Sequence, residues 1–241
     1  MAETVESSYL GGELDLFALA TNWKAYVKAE IGEYLIGNVL EVGAGIGGTT
    51  AALNDGTARR WVCLEPDPAQ AKRLRTFVAQ HCAPNSTNVV AGSLKTFAER
   101  PFFDCVLYMD VLEHINDDRT QIEMAAKLVR RGGYIVILSP AHQWLFSEFD
   151  KSIGHLRRYD KRSLRSLLPL GWDEQKLVYL DCVGVLLSLG NALALRQGLP
   201  TRSQIALWDR VCVPISRLAD RVFRKNIGKS VLAVWQKNAA R

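Results

Sequence analysis

Glu41, Gly43, Gly45 and Gly47 stand at alternate positions where a short apolar run, beginning at Val39, meets a glycine-rich turn and a helix start at Thr49. Glycines there permit positive φ and remove side chains, Ala44 between them being small as well. A bulky ligand can therefore approach the backbone beside the free N–H groups of a helix N-terminus. The Glu41 carboxylate would repel a bare phosphate but suits a ligand offering an ammonium group or ribose hydroxyls. Glu65, followed by Pro66, closes the next apolar run after the glycines. That is where the second parallel strand of a nucleotide-binding βαβ unit sets a ribose-binding acid. Capping the next helix, the competing role for Glu65, suits Asp67 better.

A second group of reactive residues follows position 140. In Gly154-His-Leu-Arg-Arg-Tyr159, His155 could take a proton from an acceptor hydroxyl, because imidazole titrates near neutrality. His114 is the second candidate base. Arg157 and Arg158, with Tyr159 beside them, could hold a carboxylate or phosphate through paired hydrogen bonds. They could equally pair with Asp150 and Glu148 as a structural clasp. The aromatic stretch Ala141–Asp150, carrying Trp144, is expected as a loop or short helix over the pocket. No His/Asp cluster has metal-ligand spacing, so no metal is expected.

Alternating elements must position these groups. Residues 9–37 have helical apolar spacing in two sets, Leu10/Leu14/Phe17 and Trp23/Val27/Ile31/Tyr34, with Thr21-Asn22 between them. Strands are expected at Val39–Val42, Trp61–Leu64, Asn88–Ala91, Phe103–Met109 and Tyr134–Leu138. Helices are expected from Thr49 to about Leu53, Asp67 to about His81 and Asp118 to Val129, the last ended by Gly132-Gly133. Such alternation calls for a doubly wound α/β sheet with ligand and chemistry at the strands' C-terminal ends. Trp172–Asp181 and Gly228–Gln236 make a sixth and a seventh strand. Between them lie an apolar helix near 183–196, a break at Gly198–Pro200 and a basic amphipathic helix near 203–224, kinked at Pro214. Its expected apolar stripe is Ile205, Trp208, Val211, Cys212, Ile215, Leu218 and Val222, with Arg210, Arg217, Arg221, Arg224 and Lys225 opposite.

With 241 residues, 48% of them hydrophobic, the chain can bury a sizeable core. Five dispersed cysteines, the absence of a signal-like N-terminus and the lack of an apolar run long enough to span a bilayer lead us to expect a soluble, cytoplasmic protein with reduced thiols. The net charge of +5 is uneven. Residues 1–150 carry 13 Lys/Arg against 19 Asp/Glu, whereas 151–241 carry 17 against 6. The C-terminal part is therefore expected to meet something anionic, or to present a solvated basic face. Nucleic acid is disfavoured, since no recognisable binding motif is present.

Taken together, Glu41-x-Gly43-x-Gly45-x-Gly47, Glu65, Asp110-Val-Leu-Glu-His114 and Gly132-Gly133, in this order over residues 38–140, resemble a class I S-adenosylmethionine-dependent methyltransferase. The resemblance implies a seven-stranded sheet in the order 3-2-1-4-5-7-6 with the last strand antiparallel. It implies one domain over 1–241, with an N-terminal helical cap at 1–37 and a helical insertion at 182–227. It also implies S-adenosyl-L-methionine as cofactor, with the glycine loop at its methionine and ribose portions. Gly92, Ser93 and Leu94 would lie at the adenine, Ser93 standing where the family usually has Asp. Asp110 and Val111 would lie near the methionine end and the acceptor. The Gly-His-x-Arg-Arg-Tyr run resembles a subgroup associated with polysaccharide and lipid-linked glycan pathways. The expected activity is methyl transfer to a hydroxyl or carboxylate of a small acceptor, anionic or linked to a glycan or lipid. A cofactor-binding protein without activity and an NAD(P)-binding protein are the alternatives, since Gly43-x-Gly45-x-x-Gly48 formally fits a dinucleotide fingerprint. For residues 182–227, a lid, a homodimer interface and a peripheral membrane contact all remain open.

Overall fold

A computed structural model describes residues 16–82, 86–190 and 200–239. The Leu10/Leu14 set and Gly198 lie outside these residues. Seven strands form one sheet: β1 (Asn38–Val42), β2 (Arg60–Glu65), β3 (Thr87–Ala91), β4 (Phe103–Met109), β5 (Val129–Pro140), β6 (Trp172–Leu180) and β7 (Ser230–Lys237). Their order is β3-β2-β1-β4-β5-β7-β6, and β7 runs antiparallel to both β5 and β6. This is the expected doubly wound α/β sheet.

Every residue of β1 is buried, as a central parallel strand covered on both faces requires. Val39 joins the core beneath α1 (Thr21–Ile31), with Trp23, Tyr26 and Ile31. Leu40 and Val42 join the opposite core, with Ile122, Ala125 and Leu128 of α4 (Asp118–Leu128). Between them in the chain, α2 (Gly48–Leu53) follows the glycine turn. The helix α3 (Pro68–His81) begins at Asp67, whose carboxylate accepts from the N–H groups of Ala69 and Gln70, as expected of the cap.

Two local expectations need correction. Gly132-Gly133 does not end α4: the helix stops at Leu128, and β5 begins at once at Val129. The glycines sit inside the strand, where pairing with β4 shifts register between Phe103 and Cys105. A Cβ at Gly133 would stand 2.7 Å from the Asp104 carbonyl oxygen. Gly133 thus serves close strand approach at an irregularity, while Gly132 supplies a positive φ of 77° beside it.

The second correction concerns the helix after β6. Following α5 (Glu148–Ser152), α6 (Lys161–Arg165) and α7 (Cys182–Gly190), the chain forms α8 (Arg202–Leu207), a π-helical turn (Trp208–Cys212) and α9 (Val213–Val222). Pro214 in the first turn of α9 lacks an N–H and crowds the preceding turn, and the wider π turn accommodates it. The expected apolar stripe is divided. Ile205, Trp208 and Cys212 are buried, whereas Val211, Ile215, Leu218 and Val222 face outward.

Candidate active site

A cavity of about 860 Å³ opens at the C-terminal ends of the parallel strands, within the size range of ligand pockets. Gly43, Ala44 and Gly45 form its floor, followed by Glu65, Pro66, Gly92, Ser93 and Leu94 on one side. Gly43 has φ 68°, and a Cβ there would stand 2.7 Å from Val111, so the turn admits no larger residue without displacing the cavity wall. Gly47 lies outside the lining: it packs under α3, where a Cβ would press on Phe77 and Leu74.

Glu65 accepts the Gly45 N–H at 2.8 Å through one carboxylate oxygen and the Asp67 N–H at 3.0 Å through the other. Each oxygen keeps lone-pair capacity for hydroxyls in the cavity. Burial raises its pKa, opposed by these two backbone donors. Glu41 has a different position from the one expected. Its carboxylate is buried behind the loop and accepts from Thr50 Oγ1 at 2.7 Å and Trp61 Nε1 at 2.8 Å. It therefore ties β1 to α2 and β2 and does not line the cavity. Burial pushes it up to about pKa 7. The sequence pattern gave no sign of Lys24 of α1, which lines the cavity with its Nζ 3.3 Å from where a Gly48 Cβ would stand. Burial lowers its pKa to about 8. A cation beside the N-terminus of α2 favours a carboxylate there.

Asp110, Val111, His114, His155 and Arg158 also line the cavity. Asp110 has φ 54° and faces the open space. Desolvation by the cavity walls raises the pKa of its carboxyl, against the pull of His155 and Lys229. His155 Nδ1 lies 2.8 Å from Asp150 Oδ1, and its Nε2 lies 3.7 Å from Glu113 Oε1. Among the described residues, Glu113 Oε1 is buried without a hydrogen-bond partner, while Oε2 accepts from Ser139 at 3.0 Å. Burial, then the charge of Asp110, raises the Glu113 pKa well above the carboxylate range. Burial would raise Asp150 too, but His155 and Arg158 hold it well below its ordinary value. Burial and His155 lower His114 to about 4. Glu113, His114 and His155 each bring one possible metal-ligand atom within 4.8 Å of the others. Spacing in the sequence hid this juxtaposition, because α4 and β5 intervene between the first two residues and the third.

The arginine run resolves unequally. Arg158 grips Asp150 through two bonds of 2.8 Å, the clasp that was one of its two expected roles, while still lining the cavity. Glu148 pairs with Lys151 instead. Arg157 lies away from the cavity, bonded to Asp118 at 2.7 Å and to the Asn116 carbonyl. Tyr159 is buried with its hydroxyl on the same Asp118. Trp144 is 62% exposed and packs against His142, also outside the lining. These three, like Glu41 and Gly47, do not line the cavity. Lys229, unmarked in the sequence pattern, completes the wall: it is 4.0 Å above the Trp208 ring, and burial lowers its pKa. Its signal was the antiparallel β7, which must start where β5 ends; Ser230 pairs with Pro140.

Comparisons with known proteins fit this geometry. Residues 40–137 match the family model Methyltransf_11, described as a methyltransferase domain. Over 120 residues the chain is 31% identical to tocopherol O-methyltransferase of Arabidopsis thaliana, covering 49% of this chain and 34% of that protein. The match thus spans about a third of the relative's length. Among solved structures, the cyclase SpnF superposes with TM-score 0.64 at 13% identity, covering 96% of each chain. The N-methyltransferase NodS of Bradyrhizobium japonicum WM9, in complex with S-adenosyl-L-homocysteine, superposes with TM-score 0.55 at 16% identity, covering 89% of this chain and 85% of that one. At such identities the two structures establish the fold, and the family match adds that residues 40–137 are similar to a methyltransferase domain.

Proposed function

We propose that the protein is an S-adenosyl-L-methionine-dependent methyltransferase that methylates a hydroxyl or carboxylate oxygen of a small anionic acceptor, free or linked to a glycan or lipid. The observation that carries this reading is a single cavity with two chemically distinct walls. One is the glycine floor with Glu65 and Lys24; the other holds His155, Arg158 and Lys229. The first wall fits the cofactor. Glu65 suits ribose hydroxyls, Lys24 and the start of α2 suit the methionine carboxylate, and the turn Gly92–Leu94 suits the adenine. NodS, with the same fold, binds the demethylated cofactor.

When bound, the sulfonium supplies an already activated methyl group. The chain must then hold an acceptor oxygen in line, roughly 3 Å from the methyl carbon, and exclude water. Lys229 and Arg158 draw an anionic acceptor to that place. Asp150 orients the His155 ring, and His155 takes the proton of a hydroxyl acceptor; a carboxylate acceptor needs no base. His114, low in pKa, is a weaker base.

Thermal stabilisation by S-adenosylmethionine or S-adenosylhomocysteine, with radiolabelled methyl transfer into a cell extract, tests the proposal. Mass spectrometry of the labelled product then identifies the methylated atom. Stabilisation without transfer would mark a cofactor-binding protein lacking activity. Stabilisation by NAD alone would overturn the cofactor assignment.

A further inference from the structure

The helical segment from Arg202 to Val222 departs from an ordinary surface helix: polar groups share its buried face with Ile205, Trp208 and Cys212, and an apolar ridge stands among its exposed residues. Asp209, Ser216 and Asp220 are buried. Asp209 accepts the N–H groups of Asn22 and Trp23 at 3.1 and 2.8 Å, supplying the N-terminus of α1 with the cap it lacks locally. Asp220 accepts from the Asp181 and Cys182 N–H groups at 2.7 and 3.0 Å, and from the Tyr26 hydroxyl. These long-range bonds fix the rotation of the helix about its axis. They leave Leu207, Val211, Ile215, Leu218 and Val222 outside, spaced by three or four residues into one ridge. Leu218 is 67% and Val222 79% exposed.

Charge specifies what covers this ridge. Asp209 and Asp220 are the only acids after residue 181, and both are consumed internally as caps. Arg210, Arg217, Arg221 and Arg224 are exposed beside the ridge. An apolar stripe flanked by cations and free of exposed acid fits the headgroup region of an anionic membrane. The ridge also meets the cavity mouth: Leu207 belongs to both, and exposed Leu187 of α7 lines the cavity. Among the described residues, no helix is long and apolar enough to cross a membrane.

We propose that the Leu207–Val222 ridge lies in the surface of an anionic phospholipid bilayer, with the cavity mouth next to the lipid. This contact does not depend on the methyl-transfer reading, and its test uses no turnover.

The full chain is sedimented with vesicles of pure phosphatidylcholine and with vesicles in which a minor fraction is phosphatidylglycerol. The double variants Leu218→Asp/Val222→Asp and Arg210→Glu/Arg221→Glu are run alongside. The expected result is binding to the anionic vesicles, weakened at least tenfold by either variant and by high salt, with little binding to phosphatidylcholine alone. Unchanged circular dichroism and melting temperature identify folded variants, and single substitutions at Leu218 and Arg221 replace any pair that fails this control. Failure of the native chain to bind anionic vesicles would overturn the proposal, as would equal binding by the folded variants. So would light scattering that shows a dimer converted to monomer by Leu218→Asp, since the ridge would then be an interface between copies.

Discussion

The two walls of the cavity are held by different means. Apart from Lys24, whose helix is held by the distant Asp209, the cofactor wall is built from backbone and near neighbours. Glu65 binds the backbone of Gly45, one strand and one helix back in the chain, and of Asp67 just beyond it. The glycine turn itself joins consecutive elements. The acceptor wall is assembled over long sequence distances. His155 meets Glu113 across the intervening α4 and β5, and Lys229, just before β7, stands over the Trp208 ring of the preceding helical segment. On the proposed assignment, the fold itself supplies the cofactor site at its switch point. The acceptor site instead depends on side chains delivered by loops and by the segment between β6 and β7. SpnF, a cyclase in name, shares the fold, which agrees with chemistry being set outside the common sheet.

Substitutions on each wall should separate these roles. The largest effect is expected for His155→Ala: turnover of a hydroxyl acceptor falls by about 10²- to 10⁴-fold, while S-adenosylhomocysteine affinity stays within twofold by calorimetry. Equal turnover would remove the base assignment. Next is Glu65→Ala, which removes two charge-assisted hydrogen bonds to the ribose and should weaken S-adenosylhomocysteine binding by roughly 100-fold. An unchanged dissociation constant would show that the cofactor does not reach this carboxylate.

Glu41→Gln probes the support behind the loop. The folded carboxyl titrates near 7, above its ordinary value, so the folded protein binds the proton more tightly than the unfolded chain. Native stability therefore falls as pH rises from about 4.5 to 7, and the whole penalty is present above 7. The variant lacks that penalty. Its stability relative to the native chain should rise by about 3 kcal/mol between pH 4.5 and 8 in urea unfolding. A pH-independent difference would mean that Glu41 titrates normally. The smallest effect belongs to Lys229→Met, where loss of one charged contact should raise KM for an anionic acceptor about tenfold, with cofactor affinity intact. If cofactor affinity falls instead, Lys229 belongs to the other wall.

Much of the cofactor wall was legible because its signals are local. Glycines at alternate positions and an acid at a fixed offset follow from the length of one strand, one turn and one helix. Asp67 as a cap was equally readable. Glu41 was misplaced because strand alternation turns it to the core side of β1, where Trp61 and Thr50 receive it. Arg157, Tyr159 and Trp144 were misplaced for a related reason: a run of polar and aromatic residues does not show which of them points inward. Lys24 escaped notice because it lies on a helix whose docking depends on Asp209.

By itself, the sequence determined the order of elements, the doubly wound sheet and the position of the glycine floor, since period, turn residues and short offsets are properties of neighbouring residues. Tertiary structure alone decided which of Glu113, Asp150 and Arg158 would surround His155, and which face of the last helix would be buried. Those outcomes rest on buried polar groups finding partners from distant segments, as Asp209 and Asp220 do. Pairing of that kind overrode the apolar pattern of the helix and left its leucine and valine ridge outside.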